Sequence, residues 1–114
     1  MQVEKYQLEN GVIPFDEWVN GLAPVFRARV YANLVKIELG NFCNVKPIEG
    51  KDSEDLFEQR MFFGPGFRTY FGKDNGTLVV LLCGGDKKTQ KKDIARAKQL
   101  WKEYKARKGG RVWH

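Results

Sequence analysis

The chain has 114 residues, 42% hydrophobic and 13% aromatic, enough for one domain with an apolar core that needs neither metal nor disulfide. Its longest uninterrupted apolar run, Leu78 to Cys83, is far too short to cross a bilayer, and the opening MQVEKYQLEN lacks the apolar stretch of an export signal, so a cytoplasmic protein without membrane contact is expected. The net charge of +6 is concentrated in residues 86–108, where ten Lys/Arg meet three Asp/Glu; such a segment suits nucleic acid or an acidic protein, and equally a plain solvated helix face.

In chain order, residues 2–8 alternate loosely and predict an edge strand, closed by the turn signal Asn10-Gly11. Pro14, followed by Asp16 and Glu17, opens a short helix over 14–21 that stops at Asn20-Gly21. Pro24 opens a longer helix to Leu39, stopped by Gly40, with Phe26, Val30, Leu34 and Ile37 on one stripe. The tight join between the two predicts a helical hairpin. Residues 41–54 lack periodicity and read as a loop with a short strand at 45–49. Cys43 in that loop and Cys83 at a strand end do not make a disulfide framework.

Three strands follow. If the Gly64-Pro65-Gly66 turn pairs Phe63 with Phe67, Phe62 faces Arg68 and Arg60 faces Tyr70. If Asn75-Gly76 is a two-residue hairpin, Phe71 faces Val80 and Arg68 faces Cys83. Alternation then sorts Phe57, Met61, Phe63, Phe67, Phe71, Val80 and Leu82 onto a core face under the helical hairpin. Glu58, Arg60, Phe62, Arg68, Tyr70, Leu81 and Cys83 fall on the opposite, mixed face. A slip of one residue in either hairpin would scramble this sorting.

The last helix starts near Asp86 or Thr89 and runs to Arg107, with Ile94, Ala97, Trp101 and Tyr104 on its apolar stripe. Gly109-Gly110 ends it, leaving 109–114 as a flexible tail after a single domain over 1–108. Lys87, Lys88, Lys91 and Lys92 crowd the positive end of this helix, where the dipole favours carboxylates and only Asp86 and Asp93 supply them. Such a helix start would hold a polyanion. The element order implies an α+β domain with a mainly antiparallel sheet of three to four strands. The single histidine is terminal His114 and no tight carboxylate cluster stands out, so no metal or other cofactor is expected.

The segment FFGPGFRTYF, followed by GTLVVLLCGGDKKTQKKDIARAKQLWKEY, resembles the RelE/ParE toxin superfamily, in particular its phage-derived, HigB-like addiction-module killer branch. The resemblance spans nearly the whole chain and is strongest from Leu56 to Tyr104. It implies the toxin of a type II toxin–antitoxin system, held inactive by a cognate antitoxin, commonly of helix-turn-helix type. RelE- and HigB-like members cleave mRNA, usually on the ribosome; ParE-like members poison DNA gyrase on the same fold, so fold alone does not decide activity.

Cleavage through the 2′-hydroxyl requires a proton acceptor for the attacking oxygen, charge stabilisation at phosphorus and a proton donor for the leaving oxygen. Arg68 matches the family's arginine after the glycine turn and is expected to clamp the phosphate through its forked guanidinium. Arg60 would hold a second phosphate, Lys87 and Lys88 match the basic pair at the strand–helix junction, and Tyr70 would stack on a base or orient the 2′-hydroxyl. Lys91, Lys92 and Lys73 are expected as further nucleic-acid contacts. The plainer alternatives are Arg60 paired with Glu58, Tyr70 half in the core, Lys91 and Lys92 merely solvated, Phe62 and Phe63 as packing residues, and His114 inert. Where ribosome-dependent relatives carry a catalytic Tyr or His in the terminal helix, Lys91 to Arg96 offers only Asp93, expected as a dipole partner or cap. Gyrase inhibition without catalysis therefore stays open, as does a non-toxic nucleic-acid-binding protein.

Overall fold

The computed structural model describes residues 1–107 and 111–113. A strand β1 (Gln2–Tyr6) leads into helices α1 (Pro14–Asn20) and α2 (Pro24–Glu38), followed by β2 (Val45–Pro47), β3 (Leu56–Arg60), β4 (Arg68–Asp74) and β5 (Leu78–Gly85), then α3 (Gln90–Arg107) and β6 (Arg111–Trp113). The α+β class and the helical hairpin stand as expected, with both helices opened by Pro at their first positions. The sheet is larger than the expected three to four strands: six, in the order β2-β3-β4-β5-β1-β6. β1 is not at an edge but lies between β5, to which it is parallel, and β6. Part of the expected tail, 108–110 and His114, falls outside the described residues, but Arg111–Trp113 pair antiparallel with β1. Among the described residues no helix is long and apolar enough to cross a membrane.

Both sheet faces are covered, which corrects the expectation of one core face and one mixed face. On one side α1 and α2 bury Val3, Phe15, Val30, Leu34, Ile37, Phe67, Phe71 and Leu81. On the other α3 buries Tyr6, Leu56, Tyr70, Val80, Leu82, Trp101 and Tyr104. The two sequence-read hairpin registers both moved, with different consequences. In the first, Arg60 pairs with Arg68 and Phe57 with Phe71, two positions from expectation. An even shift preserves faces, so Phe57, Met61, Phe63, Phe67 and Phe71 lie under the helical hairpin as read. In the second, Asp74 pairs with Leu78 across a three-residue loop, not a two-residue turn. That odd shift turns Val80 and Leu82 toward α3 and Leu81 toward the hairpin. A bulge between Tyr70 and Phe71 leaves Leu82 as the extra residue of β5, which keeps Cys83 on the α3 side as expected. Cys43 is exposed, Cys83 buried, and both are free thiols.

Candidate functional site

The link from β3 to β4 is built by alternation carried past the strand end. Phe63 and Phe67 turn inward, where Phe67 meets Phe26 at 5.2 Å and Phe63 stacks on Phe26. Phe62, between inward-facing Met61 and Phe63 in sequence, turns out and is 74% exposed. The Met61 amide donates to the Phe67 carbonyl at 2.9 Å and the Gly66 amide to the Phe63 carbonyl at 3.2 Å, closing the turn. Gly66 has φ +78, and a β-carbon there would stand 3.6 Å from Lys87 Cβ and 3.7 Å from Arg68 Nη1. The left-handed backbone favours glycine at this point, where the turn packs against the β5–α3 junction.

Arg60, Phe62, Arg68 and Lys87 thereby line one cleft of about 290 Å³, together with Gly64 and Gly66. The two arginines sit directly opposite each other across the β3–β4 ladder, an arrangement that is repulsive without an anion. Arg68 is 4% exposed; its Nη1 donates to the Gly66 carbonyl at 3.0 Å and its Nε lies 3.7 Å from Glu58 Oε2. Glu58, fully buried, also accepts a 2.9 Å hydrogen bond from Gln90 Nε2. The Glu58 carboxylate is therefore committed to Arg68, so the alternative pairing with Arg60 does not form. Arg60 instead lies over the Phe62 ring at 5.8 Å.

At the junction, Asp86 Oδ1 accepts from the Lys88 and Thr89 amides at 2.9 and 3.1 Å. Thr89 Oγ1 bonds the Asp93 carboxylate. Asp86 thus holds the two amides that precede the helix, and Asp93 is the acid of its first turn, the dipole partner expected, which offsets the lysine-rich start. Lys87, Lys88, Lys91 and Lys92 are all exposed around it.

The sequence-predicted residues thus divide. Arg60, Arg68 and Lys87 converge on the cleft; Lys88, Lys91 and Lys92 flank it from the helix start. Tyr70 does not join them. It is fully buried beneath α3, and burial, then the Glu58 and Asp93 charges, push its hydroxyl well above the ordinary tyrosine range against the easing effect of Arg68. A base cannot stack on it, so its expected role is corrected to core packing. Lys73 lies toward the far end of β4 with its ammonium 4.0 Å from the Phe42 ring and 4.9 Å from Phe57, on the helical-hairpin side. It is not part of the cleft. Two residues were missed. Phe62 was read as packing, although alternation had already set it on the arginine face. Glu58 was assigned to that face without the partner role that burial gives it. His114 lies outside the described residues. Among the described residues no group of three His, Cys, Asp or Glu is placed to hold a metal.

Residues 17–102 match the family described as phage derived protein Gp49-like (DUF891). The chain belongs to this Gp49-like family of phage-derived proteins. It is also 40% identical over 92 residues to a Haemophilus influenzae protein described as uncharacterized, covering 80% of this chain and 89% of that one.

Proposed function

We propose that this chain is the toxin of a type II toxin–antitoxin system and acts in the cytoplasm as a ribosome-dependent mRNA endoribonuclease. The supporting observation is the cleft itself: three cations from β3, β4 and the β5–α3 junction around one concavity, with an exposed aromatic at its rim. Membership of a toxin-like family of the RelE/HigB type supports the same reading.

In this reaction the mRNA 2′-hydroxyl gives its proton to a solvent water and its oxygen attacks the adjacent phosphorus. The bond to the 5′-oxygen breaks, leaving a 2′,3′-cyclic phosphate and a 5′-hydroxyl that has gained a proton. Arg68, held by Glu58 and Gly66, and Arg60 opposite it stabilise the charge that grows on the phosphoryl oxygens. Lys87, exposed at the cleft wall, donates the proton to the leaving oxygen. Phe62 stacks on a base adjoining the scissile phosphate. Lys88, Lys91 and Lys92 carry the neighbouring backbone. A cognate antitoxin of helix-turn-helix type would silence the toxin by covering this basic surface with an acidic segment.

The test is induced expression with and without the adjacent small gene, followed by primer extension on cellular mRNA. New 5′ ends inside translated codons are expected. Arg60→Ala and Lys87→Ala, at positions that are not buried, should each lower cleavage by about 10²-fold. Growth arrest with intact mRNA and broken DNA would refute the ribonuclease reading in favour of gyrase. Harmless expression of the unmodified chain would refute the toxin reading altogether.

A further inference from the structure

Helix α2 is apolar on two sides. Val30, Leu34 and Ile37 face the sheet and are buried. On the outer side Val25, Ala28, Ala32, Val35 and Leu39 at the C-cap recur at intervals of three and four, and all five are exposed. Among the described residues only five large hydrophobic side chains are exposed, and three of them are Val25 at 64%, Val35 at 48% and Leu39 at 80%. A fourth, Met1, adjoins the same stripe, its amino nitrogen donating to the Glu38 carbonyl at 2.7 Å. Isolated exposed apolar residues need no explanation, but a continuous line of them along one helix marks an interaction surface.

The alternation is that of a coiled-coil seam. From Val25 to Leu39 it runs about 21 Å at the rise of an α-helix. The alanines at its middle let a second helix approach closely between the flanking Val25 and Val35. Arg29 and Lys36, seven residues apart, lie along one edge of this seam. Arg29 is held there with its guanidinium 4.1 Å from the Phe63 ring. The other edge carries Tyr31 and Glu38.

We infer that this face of α2 docks an acidic amphipathic helix of a partner protein. Charge decides against a second copy of the chain. In an antiparallel pair the Arg29/Lys36 edge would meet itself. In a parallel pair Lys36 would meet Tyr31 and Arg29 would meet Pro24, with no opposite charge gained. A helix with apolar seam positions and Glu or Asp beside them satisfies both the stripe and the cationic edge. The stripe lies on the opposite side of the sheet from α3 and meets the RNA cleft only where Arg29 rests on Phe63, so the inference does not depend on the ribonuclease reading.

The experiment uses the full chain and two synthetic three-heptad helical peptides with leucine at the seam positions, one with glutamate and one with lysine at the flanking positions. Fluorescence anisotropy should give about tenfold tighter binding of the glutamate peptide. Ala32→Arg, at an exposed site, should weaken that binding about tenfold while leaving the thermal midpoint in place. Arg29→Glu combined with Lys36→Glu should reverse the peptide preference. Lys91→Glu combined with Lys92→Glu should leave it unchanged. The inference is overturned if neither peptide binds, or if binding follows Lys91 and Lys92 and ignores Ala32. It is also overturned if sedimentation equilibrium finds a homodimer that Ala32→Arg dissolves.

Discussion

Arg68→Ala is the substitution that the cleft most invites, and the structure predicts that it acts on folding as well as on chemistry. Arg68 is 4% exposed and Glu58 is fully buried, with Nε and Oε2 3.7 Å apart. Without the guanidinium, Glu58 keeps the Gln90 hydrogen bond at 2.9 Å and Lys46 at 4.0 Å, and that lysine side chain is 58% exposed. A buried charge stripped of its main partner costs about 3–5 kcal/mol, against a total stability of about 5–15 kcal/mol for a domain. At about 4 °C per kcal/mol for a domain near this size, the thermal midpoint should fall by about 12–20 °C. Adding Glu58→Gln removes the stranded charge, so Arg68→Ala with Glu58→Gln should recover more than half of the loss. Urea and thermal denaturation followed by circular dichroism on the four proteins of the cycle measures this coupling. A cost below about 1 kcal/mol for Arg68→Ala, or strictly additive single and double variants, would refute the claim that the pair is an electrostatic unit. It follows that lost toxicity in Arg68→Ala alone would not assign chemistry to Arg68, whereas loss in Lys87→Ala or Arg60→Ala would.

Four further outcomes follow from packing and titration. A β-carbon at Gly72 would strike the Trp101 ring, so Gly72→Ala should destabilise by about 1–3 kcal/mol, read as a lowered urea midpoint with an unchanged slope. Tyr104 donates to Asp74 Oδ2 at 2.6 Å, joining α3 to the end of β4; Tyr104→Phe should cost about 1.5–3 kcal/mol, and an unchanged melting curve would refute that role. Burial pushes the Cys83 thiol up to about 12 from an ordinary 9.0, so Ellman's reagent at neutral pH should label exposed Cys43 rapidly and Cys83 only on unfolding. The same shift has a pH signature. Between about pH 9 and 12 the unfolded thiol is ionised while the folded one keeps its proton, so the folded state binds more protons and stability falls as pH rises through that window. Cys83→Ala should flatten this part of the stability–pH curve relative to the parent.

Much of the site was legible before the fold was known. Strand alternation alone set Arg60, Phe62 and Arg68 on one side of the β3–β4 hairpin, and the resemblance marked Arg68 and the Lys87–Lys88 pair. What alternation could not supply was which face is covered. Tyr70 shares that side with Arg68, yet α3 closes over it and stops short of Phe62, so one aromatic becomes core and the other becomes surface. Lys73 shares a strand with Arg68, but five residues of extended chain separate them by about 17 Å.

Local signals determined the parts of this protein whose cause is local. Pro14 and Pro24 fix φ at the first turns of α1 and α2, Asp86 accepts from the Lys88 and Thr89 amides just ahead of α3, and the apolar stripes of the helices follow from helical periodicity. Tertiary structure decided what depends on distant partners. The parallel pairing of β1 with β5 joins residues more than seventy positions apart, which no nearest-neighbour signal encodes. The three-residue loop at Asn75 and the bulge at Leu82 set which side chains of β5 face α3, because a shift of one residue in a strand exchanges its two faces. The Glu58–Arg68 pair is buried, with Gln90 of α3 bonded to Glu58, and so it is the assembled core that makes a surface-looking glutamate the anchor of the cleft.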